Sequence, residues 1–208
     1  MTETLNKIFS RKDVEILSQK TCYSGFLRIE QLTLKCRLFQ GGWSQSFTRD
    51  LMLRSPGVGV LLYDPALDKL LMVEQFRVGC LHDNQNGPWA IELVAGLVEA
   101  GESSSDVAIR EAEEEAGIKI NKLLPICEYY NSPGGSSEKL SIFCCLIDLS
   151  TVETGFYGLE SESENIRSLI IDRLSAEKAV RTGQINNAMS IIAIQWLALN
   201  IKELQNRA

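Results

Sequence analysis

The chain has 208 residues, 45% of them hydrophobic and 23% charged, with a formal net charge of −6. That length supports one ordinary domain with a real core plus a smaller appendage, and the composition excludes a disordered polymer. An acidic chain lacks the clustered Lys and Arg that neutralise nucleic-acid backbones, so a nucleic-acid polymer is excluded as the main partner while a small phosphorylated ligand is not.

In chain order, residues 1–10 lack the apolar core of a signal peptide. Apolar and polar residues then alternate over 32–38 (Leu32, Leu34, Cys36 and Leu38 against Thr33, Lys35 and Arg37), the period of a half-buried strand. Gly41 and Gly42 punctuate, and residues 47–53 read as a second strand. Residues 1–55 are therefore expected to form a small antiparallel β region that must pack on something else, and to mediate dimerisation. Residues 56–208 are expected to form the main domain. There, 58–63 and 70–76 flank a turn at Asp64, Pro65 and Asp68 and predict a buried hairpin, and 91–94, 123–130 and 140–149 are further strand candidates.

Three helices are predicted. The first, over 104–116, opens on Ser103 and Asp106 spaced as a capping box and stops at Gly117. A short second helix covers 176–182 before Gly183, and the last, over 187–204, is expected to bury the stripe Ala188, Ile192, Trp196 and Leu199. Strands and helices mix without strict alternation, which predicts an α+β fold with helices covering a mixed sheet. The apolar-rich stretch 188–201 is interrupted by Ser190, Gln195 and Asn200 and is too short to span a bilayer. The six cysteines form no C-x-x-C pair, and Cys144 and Cys145 lie in an apolar run, so free thiols in a reducing cytoplasm are expected.

Chemistry concentrates between Ala95 and Gly117. The loop 95–102 carries Gly96, Glu99, Gly101 and Glu102, and the following helix carries Arg110, Glu111, Glu113, Glu114 and Glu115. Residues three and four apart share a helix face, so Glu111, Glu114 and Glu115 are expected to crowd carboxylates into one region. Such crowding is unfavourable without a cation, and hard oxygen ligands suit Mg²⁺, which completes its shell with water and substrate phosphates. Ala108, Ala112 and Ala116 on the opposite side would let the helix lie close to a sheet. The plainer alternative is a solvated Glu-rich surface helix. His82 is the sole histidine and sits in a polar loop, which rules out a metal site made of several histidines.

These residues match the Nudix box position by position: Gly96, five residues, Glu102, seven residues, Arg110-Glu111, the apolar slot at Ala112, Glu113, Glu114-Glu115, Ala116, Gly117 and Ile118. Outside the box, Phe26, Arg49, Glu74-Gln75-Phe76-Arg77, Ser132-Pro133-Gly134-Gly135, Gly158-Leu159 and Asn187-Ala188 extend the likeness. Pro133 falls sixteen residues after Gly117. Over most of its length the chain resembles the Nudix hydrolase family, in particular its bacterial ADP-ribose pyrophosphatase branch. The resemblance implies an α/β/α sandwich with a mixed sheet, beside the small N-terminal sheet, and a homodimer.

It also implies roles for named residues. The Ala95 backbone oxygen and the carboxylates of Glu111, Glu115 and Glu164 would hold Mg²⁺, or Mn²⁺ in its place. Arg110 would orient the glutamates, with Glu114 close by, and Glu162 would be the base that deprotonates the attacking water. Phe26 would stack on adenine, and Arg49, Arg77 and Glu138 would contact the rest of the substrate. For Phe26, Arg49 and Arg77 plain packing or solvation is the competing interpretation, and for the run Glu160, Glu162 and Glu164 it is a flexible acidic loop. The implied reaction splits ADP-ribose into AMP and ribose 5-phosphate. Another nucleotide sugar such as GDP-mannose or UDP-glucose, and a nucleotide sensor without catalysis, are the alternatives.

Overall fold

A computed structural model describes residues 6–207, the side chain at position 162 excepted. The chain divides into one unit running to Arg54 and including Ser132–Glu138, and a second of Ser55–Asn131 with Lys139–Ala208.

In the first unit β1 (Val14–Ser24), β2 (Arg28–Cys36) and β3 (Phe47–Leu53) form an antiparallel sheet in that order. The alternating stretch 32–38 is the second half of β2, which ends at Cys36. Strand β1 was not predicted: ten of its eleven positions are exposed, so no face is marked by apolar residues. Ser132–Glu138 adds a rung to β3, with Met52 N–H donating to Gly135 O at 2.8 Å and Ser137 N–H to Met52 O at 3.0 Å. Among the described residues of this unit Glu30 is a buried charge, 2% exposed, and accepts hydrogen bonds from Gln19 and Arg28. Pairing of that kind is what makes a buried carboxylate tolerable.

The second unit is built on a mixed sheet. Its strands are β4 (Gly57–Asp64), β5 (Lys69–Phe76), β6 (Trp89–Glu92), β7 (Val94–Leu97), β8 (Leu124–Tyr130), β9 (Lys139–Leu146), β10 (Phe156–Tyr157) and β11 (Ile166–Asp172). The main path runs β10-β11-β5-β4-β9-β8, with β6 paired to β5 and β7 to β4; β4 and β9 are parallel and the other pairs antiparallel. Helices α1 (Ser104–Ala116), α2 (Arg173–Thr182) and α3 (Ala188–Gln205) complete the unit.

Every residue of β4 is buried. Because successive side chains leave a strand on opposite faces, Val58, Val60 and Leu62 join Val107, Ala108, Ala112 and Ala116 of α1 in one core. Leu61 and Tyr63 join Ala176 of α2 and Ala193, Ile194 and Leu197 of α3 in the other. The result is the expected α+β arrangement, a mixed sheet between helical layers. Each core leucine removed from such packing typically costs about 2–5 kcal/mol.

The end of β4 is locked by polar contacts. Asp64, 2% exposed, accepts from the backbone N–H groups of Ala66, Leu67 and Leu149. Tyr63 donates its hydroxyl to Asp68 at 2.9 Å, and Asp68 takes a two-pronged ion pair from Arg173 at 2.8 and 3.0 Å. The β4–β5 turn is thereby tied to the first residue of α2.

Several expectations change. Residues 94–97 are strand rather than loop, because β7 completes the hydrogen bonding of β4. The apolar run 140–149 leaves the sheet after Leu146. Strand β11 was not anticipated, and α2 starts at Arg173 rather than at 176, with Asp172 at its N-cap. Helix α3 buries Ser190, Ala193, Ile194, Leu197 and Leu204, while Leu199 of the predicted stripe is 86% exposed. Its sequence is apolar nearly all round, so spacing alone did not select the face. Among the described residues no helix is long and apolar enough to cross a membrane.

Candidate active site

Helix α1 is positioned from both ends. At its start Ser103 Oγ accepts from Asp106 N–H at 3.2 Å, and Asp106 Oδ2 accepts from Ser103 N–H at 3.4 Å, the reciprocal capping box. At its end Gly117 takes φ +67°, a left-handed cap, and donates to Ala112 O and Glu113 O. Ala108, Ala112 and Ala116 are at most 1% exposed and bring the helix backbone close to the sheet.

With the helix so placed, the face carrying Glu111 and Glu115 meets β7. A Cβ on Gly96 would lie 1.8 Å from Glu111 Oε1, so the missing side chain leaves the room that the carboxylate occupies beside the strand, and a larger residue would displace it. Glu115 is 1% exposed and accepts from Ala95 N–H at 2.9 Å and from Gln75 Nε2 at 3.2 Å. Arg110 gathers the outer acids, contacting Glu111 at 2.9 Å, Glu114 at 2.8 Å and Glu102 at 3.3 Å. Glu113 points away and pairs with Lys119 at 3.2 Å, which is the solvated behaviour of an ordinary helix glutamate. On the outer side of α1 a cleft of about 320 Å³ is lined by Asp106, Ile109, Arg110, Glu113 and Glu114; Glu111 and Glu115 are not part of that lining.

Burial sets the electrostatics. It pushes the Glu115 carboxyl up to about 8, against hydrogen bonding from Ala95, with the Glu111 charge adding to the rise. It likewise pushes Glu111 up to about 7, opposed by Arg110 and reinforced by Glu114 and Glu164. Burial works against the Arg110 charge, yet Glu102, Glu114 and Glu111 together hold that guanidinium more firmly protonated than usual. A nearby cation would favour the ionised form of two such desolvated carboxyls, displacing their protons to solvent.

Among the described residues, no three Asp, Glu, His or Cys side chains converge as a ready-made cage. Arg110 holds Glu111 and Glu114, while Glu115 turns inward to Ala95 and Gln75, so the expected single cluster of Glu111, Glu114 and Glu115 is divided. The donor set still fits a hard divalent ion: buried carboxylate oxygens whose charges lack full compensation are what such an ion relieves. Ala95 contributes its N–H to Glu115 within β7.

The remaining predicted residues are placed as follows. Glu164 lies on the segment between β10 and β11, and its Oε2 accepts from Leu159 N–H at 3.2 Å. The backbone of Glu162 belongs to a 3-10 turn, Glu160–Glu162; its side chain lies outside the described residues. Arg77 pairs through Nε with Glu92 at 2.7 Å, and its charge pulls the Glu115 carboxyl downward. Phe26, Arg49 and Glu138 belong to the first unit. Phe26 is 87% exposed beneath the Arg54 guanidinium, which also pairs with Glu138 at 3.2 Å. Arg49 donates to Thr48 O at 2.8 Å and lies over the Phe47 ring. His82 is exposed.

Sequence reasoning assigned nothing to Gln75, whose amide supports Glu115 from forty residues away, nor to Arg54, which links Phe26 and Glu138. Gln75 is 5% exposed. The available signal in the sequence was a lone amide near the end of the otherwise largely apolar predicted strand 70–76.

The model of the NUDIX domain matches residues 53–184 of this chain. An ADP-ribose pyrophosphatase of Haemophilus influenzae is 39% identical over 199 residues, covering 95% of this chain and 91% of that protein. One of Escherichia coli (strain K12) is 39% identical over 204 residues, covering 98% and 97%. A GDP-mannose pyrophosphatase of Cronobacter sakazakii is 29% identical over 188 residues, covering 90% and 96%. In fold, the chain is similar to a crystal structure of an ADP compounds hydrolase, with a TM-score of 0.69 at 20% identity, covering 94% of this chain and 98% of that one.

Proposed function

The chain belongs to the NUDIX domain family and is a hydrolase of that family, and we propose that it cleaves the diphosphate of ADP-ribose to AMP and ribose 5-phosphate in a Mg²⁺-dependent reaction. The observation that carries this reading is the pairing on α1 of half-buried Glu111, held by Arg110, with buried Glu115, held by Ala95 and Gln75, in a chain similar over nearly its whole length to ADP-ribose pyrophosphatases.

In this mechanism the Ala95 carbonyl and the carboxylates of Glu111, Glu115 and Glu164 would hold the divalent ion, Mg²⁺ or Mn²⁺. When bound, that ion neutralises charge on the diphosphate and makes a nearby water easier to deprotonate. Arg110 keeps Glu111 and Glu114 in register, acting through them. Glu162 accepts the proton of the attacking water as its oxygen bonds one phosphorus, and the bond from that phosphorus to the bridging oxygen breaks. Arg77 presents guanidinium N–H groups to phosphate oxygens while Glu92 fixes its Nε. Phe26, Arg49 and Glu138 are assigned to the remainder of the substrate.

Incubation of the purified protein with ADP-ribose and Mg²⁺ is expected to yield AMP and ribose 5-phosphate, and a panel with GDP-mannose and UDP-glucose is expected to rank ADP-ribose first by kcat/KM. Preference for GDP-mannose would move the assignment toward the more distant relatives. No turnover of any member, with the nucleotide still bound, would establish a sensor instead.

The proposed division of labour gives residues 56–208 the chemistry and residues 1–55 the contact between two subunits. Support comes from the first unit itself: three strands offer little core, and Ile16, Leu17, Tyr23 and Phe39 are exposed. Light scattering at micromolar concentration should give twice the 23.2 kDa chain mass; a single-chain mass would refute the assignment. A reducing cytoplasm is the proposed setting, in keeping with six free thiols.

A further inference from the structure

The acidic segment 158–165 hangs between β10 and β11 as a hairpin, and its root is fastened at several points. Ser168 N–H donates to Gly155 O at 3.0 Å, and Gly155 N–H donates to Ser168 Oγ at 2.9 Å. Phe156 pairs with Arg167 and Tyr157 with Ile166. These contacts join the two stems to each other. Two more join the stem to α1: Gly158 N–H donates to Glu114 O across 3.4 Å, and the Tyr157 ring lies on Gly117.

The second contact is close. A Cβ on Gly117 would meet Tyr157 Cε1 at 2.8 Å and its hydroxyl oxygen at 3.1 Å, and a Cβ on Gly155 would meet the ring's other edge, Cε2, at 3.3 Å. The half-buried aromatic ring therefore fills the space between two residues without side chains, one capping α1 and one opening the hairpin. Phe156, its neighbour, is 80% exposed. Beyond the root the segment folds on itself, with Glu164 N–H donating to Leu159 O at 3.1 Å and Glu164 Oε2 accepting from Leu159 N–H at 3.2 Å.

We propose that Tyr157 is a positioning residue: its ring, seated against Gly117, fixes the root of the acidic hairpin to the C-terminal end of the carboxylate-bearing helix. The proposal rests on the hydrolase reading above. Its physical basis is that Glu162 and Glu164 belong to a segment whose described residues are mostly exposed, joined at its base to the one element that carries Glu111 and Glu115. A shift of about 1 Å in such a group can reduce rate roughly a hundredfold without loss of substrate affinity. Gly117 thus has two tasks. Its left-handed backbone ends the helix, and its bare Cα face receives the ring.

The test compares Tyr157→Ala and Tyr157→Phe with wild type, using ADP-ribose and Mg²⁺ for kinetics and hydrogen–deuterium exchange of the metal-free protein for the anchoring itself. Tyr157→Ala is expected to lower kcat by roughly ten- to a hundredfold with KM changed less than about threefold, and to speed amide exchange across 158–165 while leaving the first two turns of α1 unchanged. Tyr157→Phe, which keeps the ring, should restore both. Should the alanine variant fail to fold, Tyr157→Leu takes its place with the same expectation. An unchanged exchange rate across 158–165, a kcat within about twofold of wild type, or equal damage from Phe and Ala would overturn the proposal. Wild type inactive on every nucleotide sugar would overturn the hydrolase reading instead, and the exchange measurement would still decide the anchoring.

Discussion

Glu115→Gln is expected to lower ADP-ribose turnover about a thousandfold or more, equivalent to roughly 4 kcal/mol of barrier, while leaving the fold intact. The substitution is nearly isosteric. Its carbonyl can still accept from Ala95 N–H, and Gln75 can turn its amide to accept from the new NH₂ group. What disappears is the charge. In the metal-free folded chain, burial in a site only 1% exposed keeps the Glu115 carboxyl protonated up to about pH 8. The proposed partner that would draw out its charge is a divalent ion. Turnover of the variant within about tenfold of wild type at saturating Mg²⁺ would remove Glu115 from the metal site. A collapse in melting temperature would instead assign the residue to packing.

A second large effect concerns stability against pH in the metal-free protein. Burial raises Glu115 from its ordinary 4.5 to about 8 and Glu111 to about 7. Between pH 5 and 8 the unfolded chain has therefore released protons that the folded chain retains, and the state binding fewer protons gains as pH rises. The stabilising contribution is complete below about pH 4.5 and is lost progressively up to about pH 8, on the order of a few kcal/mol for Glu115. With chelator present, the melting temperature should fall across this window. Mg²⁺ should raise it more at pH 8 than at pH 5, because metal and protons compete for the same oxygens.

The variant Glu115→Gln isolates the effect, since its own melting curve should be flatter over the same range. The window avoids Asp68, whose carboxyl the Arg173 hydrogen bonds hold below its usual range. That group contributes stability above its ordinary value and loses it only in more acidic solution. A wild-type melting temperature that runs parallel to the variant's from pH 5 to 8 would show that Glu115 titrates normally.

How much of this was legible beforehand depended on how local the determinants are. Helix α1 could be read to its ends because Ser103, Asp106 and Gly117 encode its caps within a few residues. The β4–β5 hairpin was equally plain, since β4 is buried on both faces and reads as an unbroken apolar run. Strand β1 left no trace, because pairing with β2 rather than burial holds it. Strand β11 was hidden behind the Ser- and Glu-rich segment before it.

In the site, the identity of the acids was visible and their arrangement was not. Spacing put Glu111, Glu114 and Glu115 on neighbouring positions, but only the tertiary structure turns Glu115 inward toward Gln75 and Ala95 and leaves Glu111 and Glu114 to Arg110. The Arg54–Glu138 pair spans eighty-four residues and had no local sign.

The contact between Gly96 and Glu111 bears on how this protein can change over time. Glycine is the smallest residue available, so every substitution at position 96 adds atoms where a carboxylate oxygen already lies. A larger residue there would push the Glu111 carboxylate out of its present place, so the cost falls on the geometry of the acid rather than on the backbone of helix or strand. An engineer seeking a new nucleotide sugar would keep this junction in order to keep that acid where it is.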